Sequence, residues 1–263
     1  MESVSTISEK LVKLNSLAQD SNDLYDQWGR DSVASMELNR KMAWAQLLSS
    51  IASSEATEEL LIRPLADFFK DKDREVYEYI VQHACDEEIH AQIFEKYVKK
   101  TFLYSRKDRS LTDKLIYDRL FKKVSAFSKN RPIPLMLAIL FYEMCSDYFY
   151  KHLLKVAKKD KLNNLAHIIA QIDQDENRHR AGIKFVFKYY VNEIRPMDRI
   201  DKLATYFLLR VIWLDVNTGS YAFYNKEVVE NFKTLGLDSG EFYDFVNKSY
   251  KKIVTDIKSG SLH

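Results

Sequence analysis

The sequence predicts an all-α protein, and three observations carry that expectation. Six glycines and four prolines in 263 residues leave few positions for turns, so chain reversals are rare and the elements between them long. Apolar residues recur at steps of three and four through most of the chain, which is the period of an α-helix. No β-hairpin signal, glycine-rich phosphate loop, zinc-type cysteine pairing or low-complexity run breaks that pattern.

The elements follow in order. Residues 5–20 form a short helix candidate, closed by the polar stretch "DSNDLYDQWGRDS". A long helix is predicted over 36–69, with Trp44, Leu48, Ile51, Ile62, Leu65 and Phe69 on one stripe and Pro64 as a site for a bend. The charged "KDKDRE" connects it tightly to a helix over 74–99. A shorter helix is expected at 111–128, and "KNRPIP" introduces the next at 133–158 with proline in its first turn. "KKDKLNN" then turns the chain into a helix over 161–192. Beyond Pro196, two or three more helices account for the remainder, including "KLATYFLLRVIWLDV" and "SGEFYDFVNKSYKKIVTDI". One domain spans 1–263, with a four-helix core at about 36–192 and additional helices at 1–30 and 197–259.

Charge and cysteine usage narrow the function classes. Forty basic against 38 acidic residues give a net charge of +2, which points to no polyanionic partner and hence no nucleic acid. The N-terminal "MESVSTISEKLVKLNSLAQ" lacks the apolar run of a signal peptide, and no window approaches a membrane span. Cys85 and Cys145 have no paired spacing and read as reduced thiols. A cytoplasmic protein without a membrane partner is expected.

The informative residues are those that break the apolar stripes. In the helix of 74–99 the seam runs Tyr77, Ile80, Ala84, Ala91, Phe94, Val98, and the seven-residue gap is filled by Glu87, with His90 one turn on. In the helix of 161–192 the seam runs Leu165, Ile169, Ile172, Ile183, Val186, Tyr190, and Glu176 and His179 fill the missing places. A buried carboxylate is costly unless paired or bound to a cation. Two copies of D-E-x-x-H (Asp86, Glu87, His90 and Asp175, Glu176, His179), each interrupting a core stripe, therefore point to one shared metal site.

Glu at i and His at i+3 offer an oxygen and a nitrogen to the same ion. Two such pairs, plus one glutamate from each of two further helices, form the four-helix pattern that holds two carboxylate-bridged irons or manganese ions. That pattern requires two more core-facing glutamates. Glu143 lies on the stripe Ile133, Met136, Leu140, Tyr150, Leu154, 33 residues before Glu176 (176 − 143), with a turn near 159–160 midway. In the first hairpin, mirror placement about a turn near residue 71 favours Glu55, 32 residues before Glu87 (87 − 55), over Glu58 and Glu59; Glu58 also fits the seam.

These residues resemble the ferritin-like di-iron carboxylate superfamily. The resemblance is to the branch of ribonucleotide reductase small subunits, bacterial multicomponent monooxygenases, acyl-carrier-protein desaturases and di-iron N-oxygenases, and covers residues of about 40 to 190. It implies a ferritin-like four-helix bundle core with additional N- and C-terminal helices. It also implies that Glu55, Glu87, His90, Glu143, Glu176 and His179 bind two irons, with a Mn/Fe pair as the alternative. Asp86 and Asp175 would each orient a ligand histidine through its other ring nitrogen. Phe94, four after His90, stands where reductase small subunits often carry the radical tyrosine. Ser146, three after Glu143, matches a desaturase hydroxyl thought to assist dioxygen activation. His83, four before Glu87, is a candidate extra ligand, although the N-oxygenases carry their additional histidine before the second motif, where this chain has Ile172.

The expected activity is a di-iron oxidase or oxygenase that uses dioxygen on a small organic or acyl substrate, by hydroxylation, desaturation or N-oxygenation. An external electron donor would serve it, and a homodimer is a candidate assembly. The alternatives are a redox or radical cofactor protein like a reductase small subunit, a non-enzymatic ferritin-like iron-binding protein, and a metal-free bundle in which Glu87 and Glu176 pair with buried Lys or Arg. Arg178, two after Glu176, is the only basic residue within either motif and is expected on the wrong side for such pairing.

Overall fold

A computed structural model describes residues 4–16, 30–105, 130–218 and 226–259; the expected helix at 111–128 lies outside the described residues. The elements are α1 (Val4–Ser16), α2 (Leu38–Phe69), α3 (Arg74–Phe102), α4 (Pro132–Lys159), α5 (Asn163–Tyr189), a π-helical turn (Tyr190–Ile194), α6 (Arg199–Thr218), α7 (Lys226–Leu235) and α8 (Ser239–Ser259). All described elements are helical, in keeping with the expected fold class.

Two hairpins make the core. In the first, α2 runs through Pro64 and ends at Phe69, and Asp73 caps α3 by accepting the Val76 N–H at 3.0 Å. Glu75 in the first turn and Lys99 and Lys100 in the last complement the helix dipole. In the second, Pro132 opens α4, where its missing N–H removes no helical bond. The α4 exit carries the two bonds of a Schellman motif, Leu162 N–H to Ala157 at 3.0 Å and Lys161 N–H to Lys158 at 3.1 Å, with Lys161 left-handed at φ 59°. Asp160 in that turn accepts from Arg40 at 2.7 Å and Trp44 at 2.7 Å, which pins the second hairpin to α2.

The apolar faces meet in one core that includes Trp44, Phe69, Tyr79, Phe94, Phe141 and Tyr150. Buried Asp31 links two helix ends: it accepts the Tyr97 hydroxyl at 2.7 Å and the first-turn N–H groups of Asn164 and Leu165 at 3.1 and 3.0 Å. α5 ends in the π-helical turn, where Arg195 N–H reaches back five residues to Tyr190 at 2.9 Å. α1 packs on α3 and α5, α7 on α2, and α6 and α8 on α4, outside the four-helix core. No described helix is long and apolar enough to cross a membrane.

Candidate metal centre

Four helices each turn a glutamate inward at one level of the bundle. Glu55 comes from α2, Glu87 and His90 from α3, Glu143 from α4, and Glu176 and His179 from α5, and each is no more than 2% exposed. The helical period does this locally, because the charged positions replace apolar ones on stripes that α2–α5 bury against each other. Glu87 is 1% exposed, whereas the side chain of neighbouring Glu88 is 51% exposed and faces Arg63. Glu55 lies in the cluster; the side chain of Glu58 is outside the described residues.

The donor atoms sort into two sets of four, His83/Glu87/Glu143/His179 and Glu55/Glu87/His90/Glu176, each within 4.8 Å of one another and sharing Glu87. In the first set His179 Nδ1 lies 2.9 Å from Glu87 Oε1 and 3.7 Å from Glu143 Oε1. In the second, His90 Nδ1 lies 3.5 Å from Glu176 Oε1 and 3.8 Å from both Glu55 Oε2 and Glu87 Oε2. These approaches are near but not aligned as hydrogen bonds: both oxygens of Glu87 and of Glu143, one each of Glu55 and Glu176, and Nδ1 of His90 and His179 lack a hydrogen-bond partner. Buried polar atoms are ordinarily paired. A group of orphans aimed at common points fits a cation on each set.

The other ring nitrogens face the two aspartates across the helix pair. His90 Nε2 lies 3.4 Å from Asp175 Oδ2, and His179 Nε2 lies 3.1 Å from Asp86 Oδ2. Each motif's aspartate thus faces the other motif's histidine, an arrangement that turns both Nδ1 atoms inward. Arg178 was expected on the wrong side for pairing. It is buried and forms ion pairs, although with the aspartates and not with Glu87 or Glu176: its Nη2 donates to Asp86 at 2.5 Å and to Asp175 at 2.8 Å. Gln82 donates to the remaining oxygen of Asp86 at 2.8 Å.

Three contacts escaped the sequence. Arg178 sits off the seam, and only the proximity of α3 and α5 reveals that it bridges them. Tyr150 donates a short hydrogen bond to Glu55, a role hidden among 16 tyrosines. Tyr79 donates to the His179 carbonyl at 2.9 Å and packs closely against Gly182, where an added Cβ would sit 2.1 Å from its Cζ. The glycine, one of only six, was the available signal. Ser146 is half-buried and belongs to neither donor set, while adjacent Asp147 is held by Lys151 and Arg180, each at 2.7 Å.

Burial is the first influence on Glu55, Glu87, His90, Glu143, Glu176 and His179. Burial pushes Glu87 and Glu143 well above the usual carboxylate range, and the Glu176 charge adds to both. Burial likewise raises Glu176 to about 7, against the opposing pull of His90. Burial acts to raise Glu55 too, but its close neighbours Glu87 and His90 and the hydrogen bond from Tyr150 hold it below its ordinary value. Burial acts to lower His90, yet the carboxylates of Asp175, Glu176, Glu55 and Glu87 raise it well above the usual imidazole range. Burial pushes His179 well below the usual imidazole range, and its neighbours His83, Arg178 and His90 add to that shift.

No protein-family model matches the sequence, and no curated protein sequence is similar to it. Solved structures do match. A mutant described as an R2-like ligand-binding oxidase with aerobically reconstituted Mn/Fe cofactor superposes with a TM-score of 0.69 at 16% identity, over 95% of this chain and 91% of that one. A second such mutant gives 0.68 at 16% identity, over 95% and 96%, and the oxidase after a long soak gives 0.67 at 16%, over 95% and 91%. The all-α ferritin-like bundle is therefore the fold of this chain, shared with R2-like ligand-binding oxidases over nearly its whole length.

Proposed function

We propose that this chain is a non-haem di-metal oxidase or oxygenase, with two irons or a Mn/Fe pair held by Glu55, Glu87, His90, Glu143, Glu176 and His179. The observation that carries the reading is the pair of buried donor sets joined by Glu87, whose oxygens and ring nitrogens lack other partners. The structurally similar oxidases are described with a Mn/Fe cofactor, which supports the same choice of metals here. When bound, such a pair supplies reduction of dioxygen and oxidation of an organic substrate.

The chain's own residues would prepare that chemistry. The carboxylates give up their protons to admit the cations, and Asp86 and Asp175 fix the tautomer and tilt of His179 and His90. Arg178 balances the charge of the aspartates, and the apolar walls keep bulk water from the donor atoms. Reducing equivalents come from a separate donor, and the substrate is a small organic or acyl compound, taken for hydroxylation, desaturation or N-oxygenation. Protein produced with iron and manganese available should carry about two metal ions per chain by elemental analysis and consume dioxygen when a reductant is added. A metal content well below one per chain would sink the proposal.

One observation favours a second reading, a redox-cofactor subunit. Phe94 occupies the position of the radical tyrosine, but its ring stacks at 6.1 Å on Tyr150, whose phenol donates to Glu55. An organic radical signal in the metal-loaded, oxygen-exposed protein that vanishes in Tyr150→Phe would favour this reading over substrate oxidation.

A further inference from the structure

The six glutamates and histidines of the proposed metal centre leave one inward-facing histidine unused. His83 lies four residues before Glu87 on α3 and is fully buried. Its Nε2 sits 2.6 Å from Glu143 Oε1 and 3.4 Å from Glu87 Oε1, and its ring stacks on His179 at 3.8 Å between centroids and 21° between planes. Neither ring nitrogen has an aligned hydrogen-bond partner, and neither do the two Glu143 oxygens. Two imidazoles side by side, aimed at the same two carboxylates, make a donor set and not an ordinary core contact.

We propose that His83 is a seventh metal ligand, so that the two metal positions differ in kind. The inference rests on the metal-centre reading above. With His83, one position is lined by two nitrogens and two carboxylates (His83, His179, Glu87, Glu143), and the other by one nitrogen and three carboxylates (His90, Glu55, Glu87, Glu176). Imidazole suits iron, cobalt and zinc, whereas carboxylate oxygens suit manganese and magnesium. The nitrogen-rich position is then the iron position and the carboxylate-rich one the position open to manganese. The repeat gives no counterpart: 89 residues on from His83, the spacing that relates Glu87 to Glu176, stands Ile172, which is buried and cannot ligate.

The alternative is that His83 only pairs with Glu143 and never binds metal. Titration of the metal-free full-length protein with Co²⁺, read by its visible absorption and by the number of ions bound, separates the two. The wild type should bind two ions. His83→Gln, with its helical circular dichroism unchanged, should bind one as the wild type does and the second at least ten-fold more weakly, with loss of part of the visible bands. His83→Glu, which restores a donor atom of a different kind, should regain two-ion binding. Two ions bound by His83→Gln within about three-fold of wild-type affinity would overturn the assignment, as would equal weakening of both ions or failure of His83→Glu to regain the second. A wild type that binds no Co²⁺ would instead overturn the metal-centre reading itself.

Discussion

The α2–α3 hairpin and the α4–α5 hairpin repeat one another at the inward-facing glutamates and histidines and part company one turn away. Glu87 and Glu176 are 89 residues apart (176 − 87), as are His90 and His179, and Glu55 and Glu143 are separated by 88 (143 − 55). Around this framework the hairpins differ. α3 carries His83 and Tyr79 where α5 has Ile172 and Ile168, and α5 carries Gly182 where α3 has Ile93. Glu55 receives the Tyr150 phenol, whereas Glu143 faces His83. The spacing along the chain thus repeats, while the donor sets and the chemistry beside them do not. A repeated scaffold can present two donor sets and still give each a different environment.

The largest effect expected is on metal content. Glu87 belongs to both donor sets and Glu176 to one, so Glu87→Ala should lose both ions and Glu176→Ala only one. Affinities should fall by well over the ~100-fold typical of losing an outer partner of a ligand, and calorimetric titration would measure the difference. Equal behaviour of the two variants would break the assignment of Glu87 as the shared residue.

Stability gives the next test. Gly182→Ala places a methyl group against the Tyr79 ring and should destabilise the metal-free protein by about 3 kcal/mol, the upper part of the usual overpacking range. Tyr79→Leu in the same background should recover much of that loss, because the two positions touch and their effects do not add. Thermal melts of the single and double variants would show whether the α3 tyrosine is what α5 makes room for.

Arg178→Gln removes the cation between Asp86 and Asp175, and each aspartate faces a histidine of a different set. Both ions should weaken, by roughly 10- to 100-fold. Asp86→Asn should weaken chiefly the ion at His179, and Asp175→Asn the one at His90.

A smaller effect follows from pH. Protons compete with cations for raised carboxylates, so affinity should rise with pH, by about ten-fold per unit for each proton displaced, and level off for Glu176 above about 7. His179, already neutral, contributes nothing to this slope near neutrality. Affinity that falls between pH 6 and 7.5 would contradict the upward shift of Glu87, Glu143 and Glu176. At the far end of the scale, Glu88→Gln should leave metal content unchanged, since its side chain lies outside the bundle.

The fold and the inward-facing glutamates and histidines were legible because burial writes itself as periodicity. Glu87, Glu143 and Glu176 stand out where an apolar residue is due, and hairpin symmetry narrowed the first-helix choice to Glu55, which the structure places in the cluster. What the sequence hid depends on which helices become neighbours. Arg178 is unremarkable on α5 alone and becomes a bridge only when α3 supplies Asp86. The crossing of each aspartate to the opposite motif is invisible for the same reason, since sequence adjacency suggests that Asp86 serves His90. Tyr150 falls on its stripe like any core aromatic, and its hydroxyl acquires meaning only from Glu55 on another helix.

The near-complete burial of the cage has a kinetic consequence. With every donor residue at most 2% exposed, an ion can enter or leave only when the packed helices open locally. Residence time is then set by that opening rate and not by the strength of the metal–ligand bonds. Metal content would record which ions were present when the chain was loaded, so a protein filled in one medium would keep its original metals through long dialysis against another.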